Sequence, residues 1–588
     1  MFTDGFSTGH GAIREPKDIA SYSALTCIAI QANQNDQHGG QSIGNFDYGL
    51  APGVAKTFIK QYRSHVVKAL DLLTGGFDGD EEKFYLNWIK EWLASGGVLR
   101  MGEMDAFRAA EKETLLGRGC DAGIVDKCQK SAYKNALADT NRITFQAMEA
   151  LIHNLNTMNS RAGAQVPFSS INYGTDTSPE GRMIIRNTLL ALDDGLGGGE
   201  TPIFPIQIFR VKAGVSFNEG DPNYDLFKLA CKVSAKRLYP NFSFLDAPYN
   251  LQYYQPGRPE TEIAYMGCRT RVMGNIYDRS RETAFGRGNL SYSSVNLPRL
   301  GIKAEGHVDL FFQSLDETIE LCVEQLLERF QIQSAKKVRN FPFLMGQGVW
   351  MDSENLDKED VIGEVLKHGT LTVGFIGLAE CLVALTGKHH GQSEESQALG
   401  LRIVSHMRRR MDEESEKRGL NFTLIATPAE GLSGRFVKID RKLFGSLPGI
   451  TDKEYYTNSF HIPVYFSMNA FDKINAEAPY HALTNAGHIT YVELDGDTRN
   501  NVEAFEKIIR YMQSVGVGYG SINHPVDRDP VCGYTGMIGN ECPACGRNES
   551  DGIPFERIRR ITGYLVGTLD RFNNAKRAEV RDRVKHQC

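Results

Sequence analysis

Cys532, Cys542 and Cys545 fall within "DRDPVCGYTGMIGNECPACGRNESDG", where "CPAC" sets two thiols across a tight turn and Cys532 returns from the turn before it. Thiolates at this spacing suit a tetrahedral zinc ion, and closure of all four positions makes such a site structural. A full ribbon shows two CxxC pairs, whereas Asp529 stands three residues before Cys532. Asp529, His524 and water are the competent fourth ligands, and three reduced surface thiols are the alternative to any metal. Cys268 lies in "YMGCRTRV", after Gly267 and before Arg269 and Arg271. Adjacent positive charge favours thiolate and glycine suits a loop tip, so Cys268 is a reactive thiol if it is not a structural one. Gly563, in "RRITGYLVG", reads in isolation as a turn or a point of close chain approach.

Groups so far apart in sequence need a large scaffold to meet, and 588 residues can bury one. Apolar residues make up 41% and charged residues 23%, which excludes a disordered chain. A net charge of -6 argues against a broad basic surface for nucleic acid. The N-terminus lacks a basic and apolar signal pattern and no apolar run is long enough to span a bilayer, so the chain is expected in the cytoplasm, without a membrane. Eleven cysteines are odd in number and sparse, unlike a secreted disulfide framework.

Helical and strand patterns alternate over most of the length, which favours an α/β barrel or a layered α/β sheet. "SLDETIELCVEQLLERF" starts on a capping-box pattern at Ser314 and Glu317 and lines up Ile319, Cys322, Val323, Leu326, Leu327 and Phe330. "TFQAMEALIHNL" is a further helix; "VPFSSINY", "TPIFPIQIF", "NLSYSSVNL" and "GTLTVGFIGL" read as strands. "GLGGGE" lacks the Lys-Ser/Thr of a phosphate loop and reads as a turn. Near residue 520 the composition shifts to Gly, Pro, Asn and Cys. The expected division is therefore 1–520 as the catalytic barrel, 521–550 as a zinc-ribbon-like module and 551–588 as the C-terminal loop and tail.

The ordered phrases "NQNDQHGGQSIGNFDYGLAP", "PFSSINYGTDTSPEGR", "YMGCRTRV", "GRGNLSYSSVNLPRL", "TPAEGLSGRF", "SINHPVDRDPVCGYTG" and "RITGYLVG" resemble those of the anaerobic, class III ribonucleoside-triphosphate reductases, from the first residues to the last. The resemblance implies a ten-stranded α/β barrel of two five-stranded halves, threaded by one loop with a thiyl cysteine, matching Cys268, and one with a glycyl radical, matching Gly563. Glycine then has a chemical reason: a Cα radical is delocalised between amide nitrogen and carbonyl, and without a Cβ the centre flattens freely. Glu430 matches the carboxylate associated with formate, or is a solvated N-cap acid. Asn289 and Asn296 hold ribose hydroxyls or satisfy strand-edge backbone. His10 and His38 line the substrate or phosphate pocket or are structural histidines.

The resemblance further implies a homodimer, ribonucleoside-triphosphate substrates, dNTP and ATP effectors, formate or a thiol as reductant, a structural zinc, and a separate radical-S-adenosylmethionine activase with an iron–sulfur cluster. No segment for an ATP cone precedes the barrel phrases, so overall on–off control is not expected. The family's upstream segment with a second redox cysteine is also missing, and Cys27 in the apolar run "SALTCIAIQ" is a poor substitute. Two rivals remain: another glycyl-radical activity, such as acyl transfer or diol dehydration, and a non-catalytic zinc-binding protein.

Overall fold

Short runs bounded by turn residues become the barrel strands, and those at Ile206–Val211 and Thr370–Ile376 are buried along their whole length, as expected of parallel strands covered on both faces. The computed structural model describes residues 5–8, 11–75, 77, 79–159, 165–561, 564–566 and 572–586. In chain order the strands are β1 (Gln41–Ile43), β2 (Ser169–Tyr173), β3 (Ile206–Val211), β4 (Asn241–Phe244), β5 (Asn289–Asn296), β6 (Thr370–Ile376), β7 (Asn421–Ala426), β8 (Thr490–Glu493) and β9 (Tyr519–Asn523). One sheet runs β8-β9-β4-β3-β2-β1 and the other β7-β6-β5. Strands β1 to β4 are parallel, β5 to β7 are parallel, and β9 meets β4 antiparallel, which joins the two halves.

On one side the sheets also approach where Ala426 N–H donates to the Gly487 carbonyl at 3.0 Å. On the other side, among the described residues, no ladder joins β1 to β5, so the two sheets hold nine strands with a gap there. The larger apolar core packs the first sheet against helices Phe46–Thr74 and Ala122–Thr157, and a second core sits between β5–β7 and helices Val308–Ser334 and Glu394–Arg418. Arg210, fully buried in β3, is neutralised by Asp47 at 3.1 Å and Glu262 at 2.9 Å. Removing Arg210 would leave two buried carboxylates without their cation. No described helix is long and apolar enough to cross a membrane.

The helix expected from Ser314 begins earlier, at Val308, so Ser314 and Glu317 lie inside it and form no cap. Its buried stripe, Ile319, Val323 and Leu326, is the expected one, because periodicity fixes a face without fixing an end. "GLGGGE" is a turn, held by Arg528 donating to the Gly198 carbonyl at 2.5 Å.

After the barrel, β10 (Val526–Arg528), β11 (Thr535–Gly536), β12 (Glu556–Ile561) and β13 (Tyr564–Val566) form one sheet in the order β11-β10-β12-β13. The cysteine-rich loop and the strands flanking Gly563 are thus parts of one hydrogen-bonded unit. A C-terminal helix, Asn574–Asp582, packs on helix Gly431–Phe444. A Cβ on Gly434 would lie 2.6 Å from that of Ala575, so glycine permits this approach.

Glu380, at the start of helix Leu378–Thr386, accepts from Thr457 N–H at 2.8 Å and Thr457 Oγ1 at 2.7 Å. Burial pushes its carboxyl from 4.5 up to about 7. With the folded value above the unfolded one, its contribution is fully present below pH 4.5 and lost as pH rises through 7. Glu380→Gln, which keeps the acceptor for Thr457, is therefore expected to gain about 3 kcal/mol at pH 8 relative to pH 4. Denaturant unfolding at the two pH values checks this; equal shifts at both would contradict it.

Candidate active site

Cys268 occupies the tip of a tight hairpin in which Tyr265–Met266 pairs with Thr270–Arg271. Gly267 there has φ +57°, and a Cβ would meet the Phe168 ring at 2.9 Å, so the turn requires glycine. Strand β2 grips the hairpin: Asn172 Oδ1 accepts from Tyr265 N–H at 3.0 Å, Asn172 Nδ2 donates to the Tyr265 carbonyl at 2.9 Å, and Ser170 Oγ accepts from Gly267 N–H at 3.0 Å. Arg271 N–H donates to the Ala486 carbonyl at 2.8 Å on the far side. The thiol is therefore carried by a rigid loop anchored to both halves of the barrel. Sequence reasoning missed Asn172 and Ser170, because only the fold brings residues so far upstream to the hairpin.

Cys268 opens into a cavity of about 790 Å³ at the gap between β1 and β5. Its wall includes Gln41, Ser42, Asn289, Ser291, Arg287 and Arg329. Among the described residues Cys268 is the one cysteine lining it. Helix Ile19–Asp36 contributes Thr26, Ile30 and Asn33, while Cys27 is buried away from it, with its thiol pushed up to about 11 by burial.

Burial raises the Cys268 thiol above its ordinary value, Arg269 opposes that effect, and the Glu430 charge adds to it. The expectation of a favoured thiolate is thus overturned: desolvation of the charged form outweighs the neighbouring guanidinium. The group presented to the cavity at neutral pH is an S–H.

The next residue, Arg269, is fully buried and lines a second, small cavity of about 50 Å³. That cavity also contains Tyr491, Asn523 and Arg560, the arginine three residues before Gly563. Cys268 and Arg269 therefore stand at the partition between the large cavity and the strand leading to Gly563. Gly563 itself and His10 lie outside the described residues.

The other candidates divide. Asn289 lines the large cavity, with its amide donating to Thr370 Oγ1 at 3.1 Å and to Thr372 Oγ1. Asn296 does not line it: Oδ1 accepts from Arg299 N–H, capping helix Leu297–Ala304, and Nδ2 donates to Asp440 at 2.8 Å. Glu430 sits at the N-cap position of helix Gly431–Phe444 without making a side-chain cap, and its charge reaches both Cys268 and Lys576. His38 is exposed at the cavity rim.

Asp529, Cys532, Cys542 and Cys545 converge, with one ligand atom from each within 4.8 Å of the rest. Cys532 Sγ and Cys542 Sγ are 3.6 Å apart, close to the edge of about 3.8 Å in a tetrahedron with zinc–sulfur bonds of about 2.3 Å. Asp529 Oδ2 accepts from Cys545 Sγ at 3.3 Å, and Arg547 pairs with the same carboxylate at 2.8 Å. The donor set fits zinc. His524 faces elsewhere, 3.2 Å from the Ser234 carbonyl.

Residues 1–586 match the profile of a family described as anaerobic ribonucleoside-triphosphate reductase. The chain is 32% identical to the anaerobic ribonucleoside-triphosphate reductase of Escherichia coli (strain K12), across 100% of this chain and 74% of that protein. It is 31% identical to the protein of the same name from Enterobacteria phage T4, across 100% of this chain and 86% of that one. The crystal structure of the anaerobic ribonucleotide reductase from Thermotoga maritima in complex with dATP and CTP superposes with a TM-score of 0.62 at 15% identity, covering 98% of this chain and 80% of that chain. This last likeness is one of fold.

Proposed function

The chain belongs to the anaerobic ribonucleoside-triphosphate reductase family, and on that premise we propose that Cys268 and Gly563 form its hydrogen-atom relay. The protein is an oxidoreductase that converts ribonucleoside triphosphates to their 2′-deoxy forms. The observation that carries the relay is the place of Cys268 in the wall of the large cavity, one residue from Arg269, which lines the small cavity together with Arg560; burial, which raises the thiol, favours its S–H form. A thiolate has no hydrogen atom to give; an S–H does.

In the proposed sequence the Cys268 S–H breaks and a C–H forms at the Gly563 Cα, moving the unpaired electron to sulfur. Sulfur then takes the ribose 3′-hydrogen, the 2′-hydroxyl leaves as water, and the hydrogen returns to C3′. Overall reduction takes two electrons and two protons. Formate supplies the electrons and leaves as carbon dioxide, or a dithiol supplies them and leaves as a disulfide. Glu430, whose charge reaches Cys268, is the residue proposed to act with formate. Asn289, in the cavity wall, is the asparagine favoured for ribose contact. Enclosure of the thiol by the barrel limits side reactions of the radical.

Gly563 is the residue on which a radical-S-adenosylmethionine activase would act, and a homodimer with deoxynucleotide effectors completes the proposal. The dATP and CTP held by the Thermotoga maritima protein support this pairing of effector and ribonucleotide. Anaerobically activated protein is expected to yield deoxynucleoside triphosphates by chromatography. Failure with every ribonucleotide, together with turnover of a diol or acyl substrate, would overturn the reading.

Cys532, Cys542, Cys545 and Asp529 would hold a zinc ion that cross-links the sheet carrying the strands beside Gly563. Cys542→Ser is expected to lower bound zinc from about one equivalent to below about a fifth, measured by elemental analysis. Undiminished zinc in the variant would remove Cys542 from the ligand set.

A further inference from the structure

Four side chains close a buried polar ring around the backbone of Arg560. Arg560 Nε donates to Asn523 Oδ1 at 2.7 Å, and Asn523 Nδ2 donates to Glu493 Oε1 at 2.6 Å. Arg583 Nη1 lies 3.6 Å from the same Glu493 oxygen, and Arg583 Nη2 donates to the main-chain carbonyl of Arg560 at 2.9 Å. The circuit thus starts on the Arg560 side chain and returns to its own backbone. Arg560 and Asn523 are buried, and the Arg583 and Glu493 side chains are 10% and 13% exposed.

The two arginine corners and the backbone of Glu493 are also held from outside the ring. Arg560 Nη2 donates to the Leu238 carbonyl at 2.6 Å, and its guanidinium lies 5.2 Å from the Tyr239 ring centroid. Arg583 also bonds Glu579 at 3.2 Å, and the residues after it are stitched to the barrel through Val584 N–H to the Val464 carbonyl and His586 N–H to the Glu493 carbonyl. Burial opposes ionisation of Glu493, but Arg583 and Asn523 together outweigh it and hold the carboxyl below its ordinary value. The ring holds two guanidiniums and one carboxylate, with Glu579 beside Arg583 as a second carboxylate; three hydrogen bonds and the 3.6 Å Arg583–Glu493 ion pair close it, and such a buried polar circuit favours one arrangement of its members.

We infer that Asn523, Glu493 and Arg583 are positioning residues for radical transfer: their ring sets where the strand bearing Arg560 stands relative to Cys268. This rests on the relay proposed above. Arg560 pairs with Leu565 across the β12–β13 ladder, so fixing Arg560 also fixes the strand that follows Gly563. Arg269, adjacent to Cys268, lines the same small cavity as all four ring residues. One enclosed space thus links the thiol loop, the strand before Gly563 and the C-terminal segment. Hydrogen transfer between sulfur and carbon is sensitive to separation, so loosening the ring slows transfer without removing a reacting atom.

The test uses full-length protein, activated anaerobically, as wild type, Asn523→Ala, Arg583→Ala and Arg583→Lys. The two alanine variants are expected to hold radical per chain within about 2-fold of wild type, with KM similarly unchanged and kcat lower by about 10- to 100-fold. Lysine at position 583 keeps a cation and a donor, and is expected to recover kcat to within about 3-fold of wild type. Wild-type kcat in both alanine variants would overturn the inference. So would radical yield and kcat falling in parallel, because that pattern marks general destabilisation. Absence of turnover in the wild type would overturn the relay and the inference together.

Discussion

Cys268→Ser is expected to abolish ribonucleotide reduction while leaving the radical on Gly563 at wild-type yield. Serine fits the hairpin tip, where the anchoring bonds are made by Tyr265, Gly267 and Arg271 and not by the thiol. The loss is chemical. An alcohol O–H is far harder to break homolytically than S–H, and a barrier raised by ~6 kcal/mol already costs about 10⁴-fold in rate. Product formation by chromatography, with spin counted in parallel, separates the two effects. Residual turnover above about one-hundredth of wild type would mean that another group abstracts the hydrogen.

Gly563→Ala carries the other large effect. A methyl group on the radical carbon hinders flattening and blocks access, so neither stored radical nor turnover is expected. Air exposure of activated wild type should cut the chain at Gly563, whereas the alanine variant should stay intact. Mass spectrometry of the fragments reads both results. Zinc content and thermal unfolding of the variant are expected to match wild type, since Gly563 is not among the metal-binding residues.

Much of the site was legible in the sequence because its chemistry is local. "CPAC" with Cys532 and Asp529 announces a metal cluster, and the structure brings those four residues together. "YMGC" places Cys268 on a turn, and the structure gives that turn its left-handed glycine. The strands "VPFSSINY", "TPIFPIQIF" and "GTLTVGFIGL" became β2, β3 and β6, each buried along its length, while "NLSYSSVNL" became β5, only partly buried where it borders the large cavity.

What stayed hidden depends on distance in the chain. Neighbouring arginines suggested a thiolate at Cys268, but burial by other segments decides its protonation and sequence does not display it. The two asparagines of "GNLSYSSVNL" looked equivalent, yet one faces the cavity and the other caps a helix, a difference set by the ends of one strand. Asn523, Glu493 and Arg583 carry no local signal at all. Their ring exists because β8, β9 and the C-terminal segment meet around Arg560.

The most direct test of the central claim is electron paramagnetic resonance of anaerobically activated protein, with ordinary and α-deuterated glycine, beside Gly563→Ala. A radical on a glycine Cα carries one α-hydrogen. The account therefore predicts a doublet in wild type that collapses to a singlet on deuteration and is absent from the variant. A doublet persisting in Gly563→Ala would contradict it.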